Sequence, residues 1–471
     1  MPGLIGRTYE QAELHRFAAS LTAEFVAIYG RRRVGKTFLI RECFGYRFDF
    51  YLTGLANAGT KAQLINVQLA LREAGLPDAP IPANWFYAFS AIKEVLEKSS
   101  SAKKVIFLDE LPWMDTPKSD FISALEHFWN SWASARPDVL LIVCGSSTSW
   151  MLNKLINNRG GLHNRITQRL KIQPFTLREC KTFLEHAEIT WDDYQVAEGY
   201  MVLGGIPYYW SLLKKGLSLA QNIDALCFAA HGTLHDEYKN LYAALFKNSE
   251  KYLQVVETLS KKRQGLTRQQ LLHILHEKSG GGLSKILDDL ESGGFIRSYP
   301  ALAKKQRDRI YQLTDFYTLF YLHFIQSQRP HAPNHWSTLQ DGPVHRAWTG
   351  YAFEQVCLAH IQQIKQSLGI AGVHTEQAAW RSKEVEHGAQ VDLLIDRNDG
   401  IINLCEIKYA IHPFTIDKKY AEVLRNKLGA FRKESGTRKS VFLTFITTFG
   451  LKPNAYSGLV QNEVLLSDLM Q

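Results

Sequence analysis

The chain has 471 residues, 45% of them hydrophobic and 21% charged, the balance of a folded protein with sizeable cores and room for about three domains. Its 55 Lys and Arg against 46 Asp and Glu give a net charge of +9, which favours a polyanionic partner. Six cysteines without a Cys-x-x-Cys pair exclude a zinc ribbon and a disulfide framework, and no run nears the roughly 20 apolar residues of a membrane span.

The opening Met1-Pro2-Gly3-Leu4-Ile5-Gly6-Arg7 lacks the basic-then-apolar pattern of a signal peptide, so a cytoplasmic protein with reduced, buried thiols and no membrane association is expected. The first strong signal is a β-type run, Phe25 to Tyr29, feeding Gly30-Arg31-Arg32-Arg33-Val34-Gly35-Lys36-Thr37 and then the amphipathic Phe38-Leu39-Ile40. Strand, glycine-bounded turn and helix beginning Lys-Thr form the context of a phosphate loop. The turn lets backbone N–H groups wrap a phosphate, and the helix N-terminus adds positive character. Lys36 would reach the β- and γ-phosphates of ATP, and the Thr37 hydroxyl would ligate Mg²⁺.

The apolar strand Val105 to Leu108 ends in Asp109-Glu110, at the strand edge where open α/β sheets bind ligands. Asp109 would hold Mg²⁺; Glu110 would orient and deprotonate the attacking water. A third strand, Val139 to Val143, runs into Cys144-Gly145-Ser146-Ser147 and should end beside the other two. Ser146 reads either as a hydroxyl sensing the γ-phosphate or as a helix N-cap.

Strands and helices alternate through residues 1–175, predicting a parallel sheet covered by helices as the P-loop ATPase core. Residues 176–245 turn helical, with Thr176 as a cap and a break at Gly204-Gly205-Ile206-Pro207, and are expected as a helical lid. Residues 246–315 follow the order helix–helix–helix–strand–loop–strand of a winged helix. They hold thirteen Lys and Arg against eight Asp and Glu, net +5. Such a unit can place its third helix in a DNA groove with the basic loop Lys304-Lys305-Gln306-Arg307 on the backbone, or serve as a protein contact; Asp288-Asp289 on that helix would repel phosphate. Residues 316–345 are expected as a helix and a proline-bearing linker.

Residues 346–471 carry a second constellation. A helix with Glu354 precedes β-type stretches; Asp392 stands on one strand, Asp399-Gly400 makes a hairpin turn, and Glu406 and Lys408 share a face of the next strand. A long helix from about Ile416 to Arg432 and a strand at Val441 to Phe445 complete an α-β-β-β-α-β order. Asp392 and Glu406 offer oxygen ligands for Mg²⁺, and Lys408 could position water for attack on a phosphodiester. Glu354 is either a further metal ligand or part of a solvated helix face.

These residues resemble a known arrangement. The first half is similar to the prokaryotic AAA+-related ATPases of the STAND class, through Ile5-Gly6-Arg7, the loop Gly30 to Thr37, Leu108-Asp109-Glu110, Gly145-Ser146-Ser147 and Gly204-Gly205-Ile206-Pro207. The last third resembles the PD-(D/E)XK nuclease-like domain often fused to such ATPases, a restriction-endonuclease-like α/β fold. The resemblance implies that Pro207 contacts the nucleotide from the lid. It also implies an arginine finger after the sensor strand; here Leu162-His163-Asn164-Arg165 lacks the family's glycine while Arg165 keeps the charge. The proline of the nuclease motif is absent before Asp392, where Gln390-Val391 stands.

The expected function is an ATPase coupling a nucleotide switch to Mg²⁺-dependent cleavage of nucleic acid, with DNA the expected form. The alternative is an ATP-gated switch that binds DNA or a partner and whose last domain only docks. A transport or chaperone-type motor ranks last. A finger acting in trans would require a homo-oligomer.

Overall fold

The computed structural model describes residues 3–157, 160–277, 281–300, 309–326, 334–382 and 390–471, with only the backbone of Pro300, Arg381 and Asp392. The chain divides into two compact units, Met1–Pro174 and Phe175–Gln471.

The first unit is built on five parallel strands, β1 (Glu24–Gly30), β2 (Phe50–Thr53), β3 (Lys104–Asp109), β4 (Val139–Gly145) and β5 (Gln168–Ile172), in the order β2-β3-β4-β1-β5. Strands β3 and β4 are buried at every position, as a sheet covered on both faces requires. One face packs Phe25, Ile106, Leu108, Leu141 and Val143 against Trp85, Phe89, Phe121 and Phe128, from helices Trp85–Lys98 and Phe121–Ser131. The first of these helices starts where Asn84 accepts hydrogen bonds from the N–H groups of Phe86 and Tyr87, satisfying two of its four orphan donors.

The second unit opens with helices Leu177–His186 and Asp193–Leu203. Each begins with a capping box, Thr176 with Glu179 and Asp192 with Gln195. Next come helix Ser249–Ser260, the short β6 (Leu266–Thr267), helices Arg268–Ile274 and Gly281–Ser292, β7 (Ile296–Pro300) and β8 (Arg309–Leu313), the strands pairing antiparallel in the order β6-β8-β7. The expected basic loop at 304–307 lies outside the described residues. On helix Gly281–Ser292, Asp289 does not face solvent: it is buried, accepting from the Tyr252 hydroxyl at 2.6 Å and pairing with Lys285 at 3.1 Å. Lys285 and Asp288 are exposed.

The linker expected up to 345 is packed where it is described. Trp336 is fully buried, and Asp224 accepts from its N–H at 2.7 Å and from Ser337. An indole removed from water is worth several kcal/mol of stabilisation at ~25 cal/mol per Å², which local polarity does not reveal. Residues 327–333 of that stretch lie outside the described residues.

After helices Pro343–Ala359 and Ile361–Ser367, a second sheet runs through β9 (Thr375–Arg381), β10 (Gln390–Arg397), β11 (Ile401–Lys408), β12 (Ser440–Thr447) and β13 (Asn462–Leu465), in the order β13-β12-β11-β10-β9. Strand β10 is antiparallel to both neighbours, while β11, β12 and β13 run parallel. Helix Lys418–Ser435 connects β11 to β12 and buries Ala421, Leu424 and Phe431 against Leu404, Leu443 and Phe445. The helical stretch around Glu354 is divided at His360, which caps the end of Pro343–Ala359 before Ile361–Ser367 begins.

Candidate functional site: a nucleotide centre in the first unit and an ionic cluster in the second

Strand β1 ends at Gly30, whose φ is +148° and where a Cβ would lie 2.3 Å from the Ile172 carbonyl oxygen; no larger residue fits. The chain then turns through Arg33 at φ 68° and Gly35 at φ 86° into helix Lys36–Cys43. This path curls the turn around Lys36, which is buried and donates to the carbonyls of Gly30 at 3.0 Å and Arg31 at 2.9 Å. Burial pulls the Lys36 ammonium below its ordinary value, while Cys144, Glu110 and Asp109 act to hold it up. Arg31 is buried, Arg32 and Arg33 half-buried and Val34 buried. The buried Arg7 donates to the Val34 carbonyl at 3.3 Å, tying Gly6-Arg7 to the loop.

Strand β4 lies between β1 and β3, so the three motif-bearing strands end side by side. The Thr37 hydroxyl donates to the Asp109 carboxylate, 3.1 and 3.0 Å from its two oxygens. Asp109 also accepts from the Glu110 N–H at 3.0 Å and from the Cys144 thiol at 2.7 Å. Burial and the neighbouring Asp109 push that thiol far above its usual range, so Cys144 serves as a donor. Glu110 has φ 51° at the start of helix Leu111–Met114, and one of its oxygens accepts both the N–H and the hydroxyl of Ser146, at 3.1 and 3.0 Å. Ser146 therefore points its hydroxyl at Glu110; the following helix starts at Thr148 after Ser147. A hydroxyl and a carboxylate that share one hydrogen bond are a donor set suited to Mg²⁺. Arg165 is exposed and follows the left-handed Asn164.

In the second unit, Pro207 is the first residue of helix Pro207–Trp210, a position where a missing N–H costs nothing. Gly205 lies against Phe175, whose N–H donates to its carbonyl at 2.6 Å; a Cβ on Gly205 would sit 2.0 Å from the Phe175 oxygen. The Trp210 indole donates to the Gly204 carbonyl at 2.7 Å.

The other expected site residues lie on the second sheet and the helix before it. Glu406 is 8% exposed, and both its oxygens are engaged: Lys408 at 2.9 Å and the Tyr420 hydroxyl on one, Lys427 at 2.7 Å on the other. Burial alone would raise the carboxyl, but the Lys408 and Lys427 ammoniums and the hydrogen bonds from Lys427 and Tyr420 outweigh it and hold Glu406 below its ordinary value. Lys408 also lies 5.1 Å from the Tyr420 ring and 5.9 Å from the Phe414 ring. The β10–β11 register pairs Leu393 with Cys405, one step from Asp392 and Glu406, but the Asp392 side chain lies outside the described residues. Glu354 is half-buried on helix Pro343–Ala359, which packs against β11.

Among the described residues, no group of three or more acidic, His or Cys side chains could hold a metal ion. A carboxylate already neutralised by two ammoniums does not fit a Mg²⁺ ligand without rearrangement. Tyr420 and Lys427 carried no sequence signal toward Glu406: they stand 14 and 21 residues further along, and only the return of helix Lys418–Ser435 over the sheet brings them to it. Cys144 escaped notice because a thiol in an apolar run reads as core.

Among the described residues, no helix is long and apolar enough to cross a membrane. Residues 4–213 match the model of a family described as an ATPase domain predominantly from Archaea. An uncharacterised protein of Methanocaldococcus jannaschii is 24% identical over 421 residues, which is 86% of this chain and 87% of that protein. Among solved structures, the chain is similar to a Walker-type ATPase of Pyrococcus abyssi, with 14% identity, 68% of this chain and 96% of that chain covered and a TM-score of 0.49. It is also similar to the ORC2 protein of Aeropyrum pernix in its ADPNP–ADP complexes, with 15% identity, 76% and 96% covered and a TM-score of 0.39. The phosphate-loop geometry and the family match agree on one conclusion: the chain carries an ATPase domain of the P-loop type.

Proposed function

We propose that this protein is an ATP-hydrolysing switch acting on nucleic acid. The observation that carries the reading is the convergence of Lys36, Thr37, Asp109, Glu110 and Ser146 at one edge of a parallel sheet. Loop N–H groups and Lys36 bind the phosphates, and Thr37 and Asp109 hold Mg²⁺, which when bound neutralises charge on the β- and γ-phosphates. Glu110 takes the proton of the attacking water, and Ser146 controls where that carboxylate points. An exposed Arg165 is available to a neighbouring copy as a finger. The partner is a polyanion, in keeping with a net charge of +9.

The reading is tested by titrating a labelled DNA duplex with the protein loaded with ADP or with a non-hydrolysable ATP analogue, alongside ATP turnover. Affinity that differs between the two nucleotides, with turnover lost in Lys36→Ala, supports it. Turnover unchanged in Lys36→Ala would end the ATPase assignment, and equal affinity in both nucleotide states would end the switch.

A second reading adds metal-dependent cleavage by a PD-(D/E)XK-like C-terminal domain. It is favoured by the helix–β9–β10–β11–helix–β12 order. Nicking of DNA in Mg²⁺ or Mn²⁺ that disappears in both Asp392→Ala and Lys408→Ala would establish it. No nicking in either metal leaves the domain as a docking module.

A further inference from the structure

We infer that the turn Lys261-Lys262-Arg263, rather than the third helix of the winged-helix unit, is the surface that holds the phosphate backbone of a nucleic acid. This rests on the reading of nucleic acid as the partner and names where it sits.

The turn connects helix Ser249–Ser260 to β6, and all three basic residues are exposed. It is also held in shape. The Lys262 N–H donates to the Leu259 carbonyl at 3.0 Å, and the Gly265 N–H returns to the Lys262 carbonyl at 2.8 Å. Gly265 has φ 79°, and a Cβ there would lie 2.5 Å from the Tyr311 carbonyl oxygen of β8. Gln312 donates to the Arg263 carbonyl, and the Tyr299 hydroxyl donates to that of Gln264 at 3.0 Å. Three cations on a rigid turn lose little entropy when they meet a polyanion.

Its position matters as much as its charge. The Arg263 guanidinium lies 4.8 Å from the centre of the Tyr351 ring, a cation–π contact with the helix that carries Glu354 one turn further on. Gln264 donates to the Gln390 side chain at 2.8 Å. Gln390 opens β10, the strand of Asp392, and antiparallel pairing sets that end of β10 beside the end of β11 that carries Lys408. The basic turn is thus seated on the helix that carries Glu354 and on the strand of Asp392, at the sheet end where Lys408 and Lys427 flank Glu406. Two acidic groups lie close to it: Glu257, one turn before it, which accepts from Gln326 at 3.2 Å, and Glu354, which shares Tyr351 as a neighbour with Arg263. By contrast, helix Gly281–Ser292 exposes Lys285 beside Asp288, and Glu291 on the same helix bonds Ser298 and pairs with Arg309 at 3.6 Å. Among the described residues, Lys285 and Arg309 on that face are offset by Asp288 and Glu291, which weakens its hold on a phosphate backbone.

The test is DNA-duplex affinity of the full chain in EDTA, where no cutting interferes, at several salt concentrations. Lys261→Glu/Lys262→Glu should bind at least about tenfold more weakly than wild type and show a salt slope smaller by about 2, with ATP turnover retained as the check on folding. Lys285→Glu should change affinity less than twofold. If the double variant binds like wild type, or Lys285→Glu is the damaging change, the assignment of the turn is overturned while nucleic acid stays the partner. If wild type itself binds neither duplex nor single-stranded DNA or RNA, both the turn and the partner class fall.

Discussion

Ser146 holds a single oxygen of Glu110 twice, through its backbone N–H at 3.1 Å and its hydroxyl at 3.0 Å. The proposed base is therefore aimed by the end of the neighbouring strand. Glu110→Gln should keep ATP binding within about threefold and lower turnover by about 100-fold or more, the span of general-base catalysis. Ser146→Ala keeps the backbone donor and loses the hydroxyl, so turnover should fall about tenfold with affinity nearly unchanged. Phosphate release and nucleotide titration on the same samples separate these effects; wild-type turnover in Glu110→Gln would remove that carboxylate as the base.

The Thr37–Asp109 hydrogen bond predicts how affinity depends on the metal. Wild type should bind ATP more tightly with Mg²⁺ than in EDTA. Thr37→Ala should lose most of that gain while its affinity in EDTA stays close to wild type. Lys36→Ala should lose about 10- to 100-fold in affinity under both conditions, because a charge-assisted phosphate contact is worth about 1.5–3 kcal/mol. Fluorescent-nucleotide titrations with and without EDTA read this directly. An undiminished metal gain in Thr37→Ala would refute the ligand role.

Glu406 is a buried carboxylate between two ammoniums, so removing either side strands charge. Glu406→Ala should destabilise the second unit by about 3 kcal/mol, the usual cost of breaking a buried pair. Glu406→Gln/Lys427→Met should be less destabilised than the two single changes predict together. A denaturant double-mutant cycle measures that coupling; simple additivity would mean that Glu406 and Lys427 do not interact in solution.

His360 supplies a pH dependence. Its Nε2 accepts from the Leu177 N–H at 2.9 Å, while its Nδ1 faces the Val356 carbonyl at 2.8 Å. Burial lowers its pKa to about 4, against the small raising effects of Val356 and Glu179. The unfolded chain takes up a proton near pH 6.5 and the folded one only near 4, so stability falls as pH drops between those values. A shift of this size amounts to roughly 3 kcal/mol, fully present above pH ~6.5. Urea titrations at pH 7 and 4.5 should show that loss in wild type and a smaller one in His360→Gln. Equal losses would mean that His360 is not the group responsible.

The nucleotide centre was legible because its signals are local. A strand, a glycine-bounded turn and Lys-Thr lie within the fourteen residues from Glu24 to Thr37, and four apolar residues before Asp109-Glu110 announce a buried strand end. The capping boxes at Thr176 and Thr267 were equally open to reading, since a cap and its helix are neighbours. The burial of Trp336 carried no such signal, because its partner, Asp224, stands 112 residues away.

What the sequence determined by itself, then, is the set of elements and the chemistry at their ends: short-range patterns of burial, turn and charge that hold whatever surrounds them. Only the tertiary structure decided that Ser146 aims Glu110, that Asp289 faces inward, and that Glu406 meets Lys427 and Tyr420 across a helix crossover. Each of these contacts depends on which distant segments share a face of a sheet, and chain spacing carries no record of that. The buried ion cluster on β11 is the clearest instance: Glu-x-Lys on a strand predicts a shared face, and the fold alone supplied the second lysine that closes it.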